Sequence, residues 1–285
     1  MAIKMQKFEL SVIPMRCHLR DRGPRTAFRW ASRLVFIGLL ASQAACTSTV
    51  PDTAGKTAAT AGSDSGSASL ASCGDWLRLQ QAGEGRLYAF DPARSTLRIL
   101  VYRGGRLASL GHNHVIAAEQ HAVGQVYLPR DGLATAGAEL SFRLDQLVLD
   151  APAWRTAMGS DFAKILSEAD IAGTRANMLK GLDAEQFPVV TAVTRTVEGG
   201  WPRLVLRLDV TLHGETRTLD MPVEAVRPEG EGPLKARGRL VLRQTDFGIQ
   251  PFTVLGGLLA IQDPLTIEVD LSARPATACQ PRTSA

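Results

Sequence analysis

Arg203-Leu204-Val205-Leu206-Arg207-Leu208-Asp209-Val210-Thr211-Leu212 alternates along its whole length. Leu204, Leu206, Leu208, Val210 and Leu212 fall on one side; Arg203, Arg207, Asp209 and Thr211 fall on the other. A period of two marks a half-buried strand, because successive side chains point to opposite faces. Leu265, Ile267, Val269 and Leu271 repeat the pattern against Thr266, Glu268 and Asp270. Further strands are predicted over 87–90, 96–103, 123–128, 138–144, 189–197, 216–226 and 235–243. Turn residues separate them: Gly104-Gly105, Pro129-Arg130-Asp131-Gly132, Gly199-Gly200 and Glu229-Gly230-Glu231-Gly232.

Many evenly spaced strands argue a sandwich or a barrel. Only residues 151–187 break the rhythm. Met158, Phe162, Ile165 and Leu166 stand there at helical spacing, followed by a second helical run over 176–182. One closed sheet with one helical insertion fits an all-β, lipocalin-like antiparallel barrel of about eight strands. A barrel of that size holds either packed side chains or one small ligand. Ile99, Leu100, Val101 and Tyr102 are consecutive, so their strand is covered on both faces or lines an apolar lumen on one.

The N-terminus reads as an address. Lys4, Lys7, Arg16, Arg20, Arg22, Arg25, Arg29 and Arg33 precede an apolar run over 34–45. A basic region, a short apolar region and small residues before a cut site make a secretory signal, expected over 1–45. The run is shorter than the about 20 apolar residues a membrane-spanning helix needs. Gln43-Ala44-Ala45-Cys46 resembles a lipobox, which would make Cys46 the lipidated first residue; Gln43 departs from the usual Leu. Ordinary cleavage near Ala45 is the alternative. Residues 46–72, rich in Ala, Ser, Thr and Gly, read as a flexible tether. The expected location is the bacterial envelope, facing the periplasm and anchored to a membrane.

The formal charge of +4 belongs to that leader. Past residue 45 there remain 24 Lys and Arg against 26 Asp and Glu, a net charge of about −2. A nucleic-acid partner therefore loses its electrostatic basis.

Four cysteines are present. Cys17 leaves with the signal and Cys46 is the lipidation candidate. Cys73 and Cys279 bracket the patterned region, and an exported chain meets an oxidising compartment, so a Cys73–Cys279 disulfide is expected. The domain is then 73–279, with a disordered tail over 280–285.

Three stretches, in order, carry a resemblance. The first is Arg175 followed by Asp183 and, after three intervening residues, Phe187-Pro188. The second is His213-Gly214-Glu215-Thr216-Arg217. The third is a strand from Arg239 that ends in Asp246-Phe247-Gly248-Ile249. Together they resemble the YceI-like family of bacterial envelope proteins, over roughly 87–271. The resemblance implies a lipocalin-like barrel around an elongated apolar tunnel, with a polyisoprenoid lipid as cargo. The tunnel candidates are Ile99, Val101, Val126, Phe142, Leu144, Phe162, Val193, Leu206, Leu208 and Phe252. The head-group candidates are His112, His114 and Arg175.

Leu110-Gly111-His112-Asn113-His114-Val115-Ile116, with His121 beyond it, departs from that family's usual segment. In a strand, i and i+2 share a face. His112 and His114 can then chelate one transition metal such as zinc, with His121 as third ligand and one position open for water. They serve equally as donors to a lipid head group, or as structural hydrogen-bonding residues. The metal reading is a periplasmic metal-binding protein or metal-dependent hydrolase. No G-x-S-x-G, P-loop, G-x-G-x-x-G after a strand or H-E-x-x-H is present, and the expectation is a binding protein without a cofactor rather than an enzyme.

Overall fold

Leu208 of the opening strand faces Leu219 on one neighbour and Thr194 on the other, and this register runs almost unbroken round a closed sheet. The computed structural model describes Ser72–Pro281 and Thr283. The expected signal, the candidate lipid site Cys46 and all but the last residue of the tether lie outside the described residues.

In chain order the elements are α1 (Cys73–Gln81), β1 (Gly85–Phe90), β2 (Thr96–Val101), β3 (Arg103–Gly104), β4 (His114–Ala117), β5 (Val123–Pro129), β6 (Gly137–Arg143) and β7 (Val148–Leu149). Then come α2 (Pro152–Ala157), α3 (Glu168–Gly181), β8 (Val189–Gly200), β9 (Arg203–Leu212), β10 (Glu215–Val226), β11 (Leu234–Arg243), β12 (Thr253–Val254), β13 (Leu259–Ile261) and β14 (Pro264–Pro275).

Eight of these strands close a barrel in the order β1-β5-β6-β8-β9-β10-β11-β14, and β14 returns to β1. Every pairing is antiparallel. The expected fold class therefore holds. The closing edge of β14 is divided. Its C-terminal end, Ala273 to Pro275, pairs with β1, whereas Thr266 to Asp270 pair with β2. β2 carries β4, and β4 carries β7, so the sheet splays into a second flap beyond the seam. The short β12, β13 and β3 form a separate sheet.

Alternation explains the core. Leu204, Leu208, Val210, Leu212, Met221, Val223, Leu240 and Leu242 are buried in one cluster, and Leu206, Leu265, Ile267 and Val269 pack against it. The outer face carries cross-strand ion pairs such as Arg207–Asp220 and Arg239–Glu268. A bulge between Thr194 and Thr196 shifts the phase of β8. This is why alternation alone misjudges which residues of that strand face inward.

Both ends of the domain meet on the outside. α1 starts at a capping box in which Ser72 accepts from Asp75 N and donates to its carboxylate. Trp76 stacks over Tyr127 beside Leu87. Cys73 and Cys279 are disulfide-bonded, with Cα atoms 6.0 Å apart. The expected tail is not free where it starts: Gln280 N donates to Gln125, and its side chain joins Gly124 N and the Phe90 carbonyl.

The helical insertion is less regular than its spacing predicts. α2 ends at Ala157, Gly159 takes φ +80°, and one turn of 3₁₀ helix carries Phe162. Ile165 is 93% exposed rather than on an inward helical face. α3 then starts at a second capping box, Ser167 with Asp170. Arg175 lies inside that helix rather than ahead of it.

Candidate functional site: an apolar barrel cavity with a histidine end

The closed sheet surrounds a cavity of about 400 Å³. Aliphatic side chains from most of the barrel strands and from β2 line it, among them Leu97, Ala192, Val210, Met221, Leu240 and Ile267. Met178 and Leu182, from α3 and the residue after it, are also in its wall. Its volume lies within the about 300–1,000 Å³ range of small-molecule sites. Polar groups are few. Arg103, His112, His114, Gln244 and Gln250 are among them, beside Thr174 and Asn177 of α3.

Seven of the ten tunnel candidates line this cavity: Ile99, Val101, Phe142, Leu144, Leu206, Leu208 and Phe252. Three do not. Val126 packs with Tyr88, Phe90, Leu234 and Ala273 in a separate cluster. Val193, across from Asp209 on β9, lines a small outer groove beside Gln280 and Pro281; the bulge in β8 accounts for the misreading. Phe162 packs on Leu100 and Val115, behind the wall, with Trp154 of α2. The run Ile99 to Tyr102 is thus covered on both faces. Ile99 and Val101 line the cavity, whereas Leu100 and Tyr102 pack against the insertion.

The histidine end is built by a buried polar network. His114 Nδ1 lies 2.6 Å from Asp150 Oδ2. The other oxygen of Asp150 accepts from Val115 N at 3.0 Å and from Arg155 Nη1 at 2.6 Å. Arg155 also donates to the carbonyls of Asn113 and Lys164. The Asn113 side chain accepts from Arg103 N and donates to the Asp161 carbonyl. Burial pushes the Asp150 carboxyl up, but its bonds to and attraction by His114, with the Val115 and Arg155 bonds, outweigh this and hold it below the usual range. It is an ionised anchor that fixes the orientation of His114.

His112 stacks edge-on to His114, ring centres 4.8 Å apart, and its buried Nδ1 has no hydrogen-bond partner among the described residues. Burial, then the neighbouring His114 and Lys164, lower its pKa. It is a neutral imidazole in the cavity wall, with its Nδ1 buried and unpartnered.

The remaining candidates lie elsewhere. Arg175 donates to the Leu147 carbonyl at 2.6 Å and also to that of Asp145, bracing α3 on the loop after β6; it is not in the cavity wall. His121 is exposed on the turn between β4 and β5. Among the described residues no group of three or more His, Cys, Asp or Glu is placed to hold a metal. Asp150 and Arg155 had no sequence signal, because 36 and 41 positions separate them from His114.

The three marks read along the chain converge in space. His213 Nε2 is 2.9 Å from Asp183 Oδ2, and its Nδ1 donates to the Phe247 carbonyl at 3.0 Å. Its ring stands edge-on to Phe187. Gly214 takes φ +75°, and a Cβ there would meet the Phe187 ring at 2.7 Å. Only glycine fits this turn.

Solved structures with a similar fold include BcnA of Burkholderia cenocepacia, 15% identical, covering 64% of this chain and 98% of that one at a TM-score of 0.45. The YCEI protein of Campylobacter jejuni is 12% identical, covering 48% and 71% at a TM-score of 0.35. No curated protein matches the chain. The YceI-like domain model matches residues 88–273, from the second half of β1 to within two residues of the end of β14, and the chain belongs to the YceI-like family.

Proposed function

We propose that this barrel carries a long-chain isoprenoid or a similar apolar lipid, as an exported protein held to a membrane of the bacterial envelope through Cys46. The observation that supports the cargo is the cavity wall, which is mostly aliphatic with few polar residues, among them His112, His114 and Arg103. Each buried CH₂ contributes roughly 0.8 kcal/mol, so a long tail binds without many polar contacts. His112 and His114 stand together in the cavity wall, and Asp150 holds His114 in place, so the imidazole end supplies the polar contact to a head group. The role is binding without catalysis or a cofactor.

Native mass spectrometry of the protein purified after export, followed by lipid extraction, tests this. A stoichiometric apolar lipid is expected. A lipid-free protein carrying a stoichiometric transition metal that is lost on His112→Ala with His114→Ala would replace the lipid reading with the metal one.

A further inference from the structure

Large apolar side chains are exposed in segments that adjoin the polar end of the cavity. Leu110 is 65% exposed and Leu255 67%, and Phe252, Val254 and Leu258 are exposed as well. Backbone and side-chain bonds stitch these segments together. Leu107 N donates to the Leu258 carbonyl at 2.8 Å, Lys164 Nζ to the Leu110 carbonyl at 3.2 Å, and Ile261 N to the Phe252 carbonyl at 3.0 Å. The same loop has two roles. Phe252, Leu259 and Ile261 line the cavity, whereas Leu255 and Leu258 do not and are exposed.

Basic residues flank the patch. Arg103, Arg106 and Lys164 have no ion pair with a carboxylate among the described residues. Arg103 spends its guanidinium on the Gly111 carbonyl. Asp170, the acid that feels Lys164, is engaged by the hydroxyl and backbone of Ser167. Unneutralised cations beside exposed leucines suit a surface that is anionic at its face and apolar just below it. A second copy suits it less, because a two-fold contact gathers the cations of both copies into one interface.

The geometry points to a bilayer-docking rim: Leu110, Leu255 and Leu258 enter the interface of an anionic membrane while Arg106 and Lys164 meet its phosphates, with the histidine end of the cavity turned towards the lipid. The proposal rests on the cargo reading for its purpose and on the exposed rim for its geometry.

Flotation of the exported full chain carrying Cys46→Ser, which removes any acyl anchor, tests it on vesicles of phosphatidylcholine alone and mixed with phosphatidylglycerol. Flotation is expected with the mixed vesicles and much less with the neutral ones. Arg106→Gln with Lys164→Gln should weaken partitioning to the anionic vesicles about 30-fold. Leu255→Glu with Leu258→Glu should abolish flotation, with Leu255→Ser and Leu258→Ser as the milder pair and circular dichroism as the check on folding. Copurified lipid is measured on the same samples. Flotation without any copurified lipid in the otherwise wild-type chain refutes the cargo and leaves the rim standing. Absence of flotation, or flotation unchanged in a folded leucine pair, overturns the rim whatever the cargo. A dimer dissolved by Leu255→Glu, with no vesicle binding, overturns it in favour of self-association.

Discussion

His114 and Asp150, 36 residues apart in the chain, meet with Nδ1 2.6 Å from Oδ2, and the carboxylate is fully buried. The second oxygen holds Arg155, itself buried. Such a cluster penalises the loss of one member more than it rewards the whole, because a partner is left charged and dry. Asp150→Ala should lower unfolding free energy in urea by about 3–5 kcal/mol. The folded carboxyl is held below its ordinary value, so its contribution is present above about pH 4 and fades as pH falls through the folded pKa. A variant as stable as wild type at neutral pH would show that the network is slack.

Leu206 stands in the middle of β9 with its side chain in the cavity wall, opposite Met221. Leu206→Glu should leave export intact and empty the barrel of copurified lipid, because an unpaired carboxylate there either stays protonated or draws in water. Circular dichroism must show the sheet. Lipid retained at wild-type stoichiometry in a folded variant would place the tail elsewhere.

His213 titrates to the opposite effect from Asp150. The bond to Asp183 raises its pKa, burial opposes this, and the Phe247 carbonyl adds to it. The stabilisation from this group is complete below about pH 6.5 and is lost as pH rises through the raised folded value. Asp183 is well exposed, which limits the effect to about 1 kcal/mol or less. Denaturation midpoints of wild type and Asp183→Asn should differ at pH 5.5 and converge towards pH 8. A gap that widens with rising pH would refute the assignment.

Joining Cys73 to Cys279 closes 206 positions of chain. Removing such a bond costs about 2–5 kcal/mol. Cys73→Ser with Cys279→Ser should melt lower by an amount that reductant reproduces in the wild type. Peptide mapping without reductant should recover the cross-linked pair, and two alkylatable thiols in the exported protein would refute it.

How far the sequence could be read depended on where the signal sat. Strands with one wet face, such as β9 and β14, announced themselves by alternation. β4 did not: its His114, Val115, Ile116 and Ala117 are all buried, so no period survives. α1 is faint in the sequence: Ser72 and Asp75 have capping-box spacing, but the Ala- and Ser-rich run before it masks the change. In the cavity, alternation gives residues of an unbroken strand such as β9 a common face, as for Leu206 and Leu208. For Val193 it does not, since a single bulged residue reverses the phase. The histidines were visible as residues, but their anchor was not, because long-range pairing alone brings Asp150 to His114.

The disulfide has a consequence for the ancestry of such domains. Cys73 and Cys279 lie 6.0 Å apart at Cα, and neither is in the cavity wall. A unit whose two ends coincide can be spliced into a surface loop of another protein without prising either partner apart. It can also be hung from a spacer of any length while its opening keeps the same freedom to turn. Recombination can thus shuffle this barrel among unrelated proteins with little redesign at the joints.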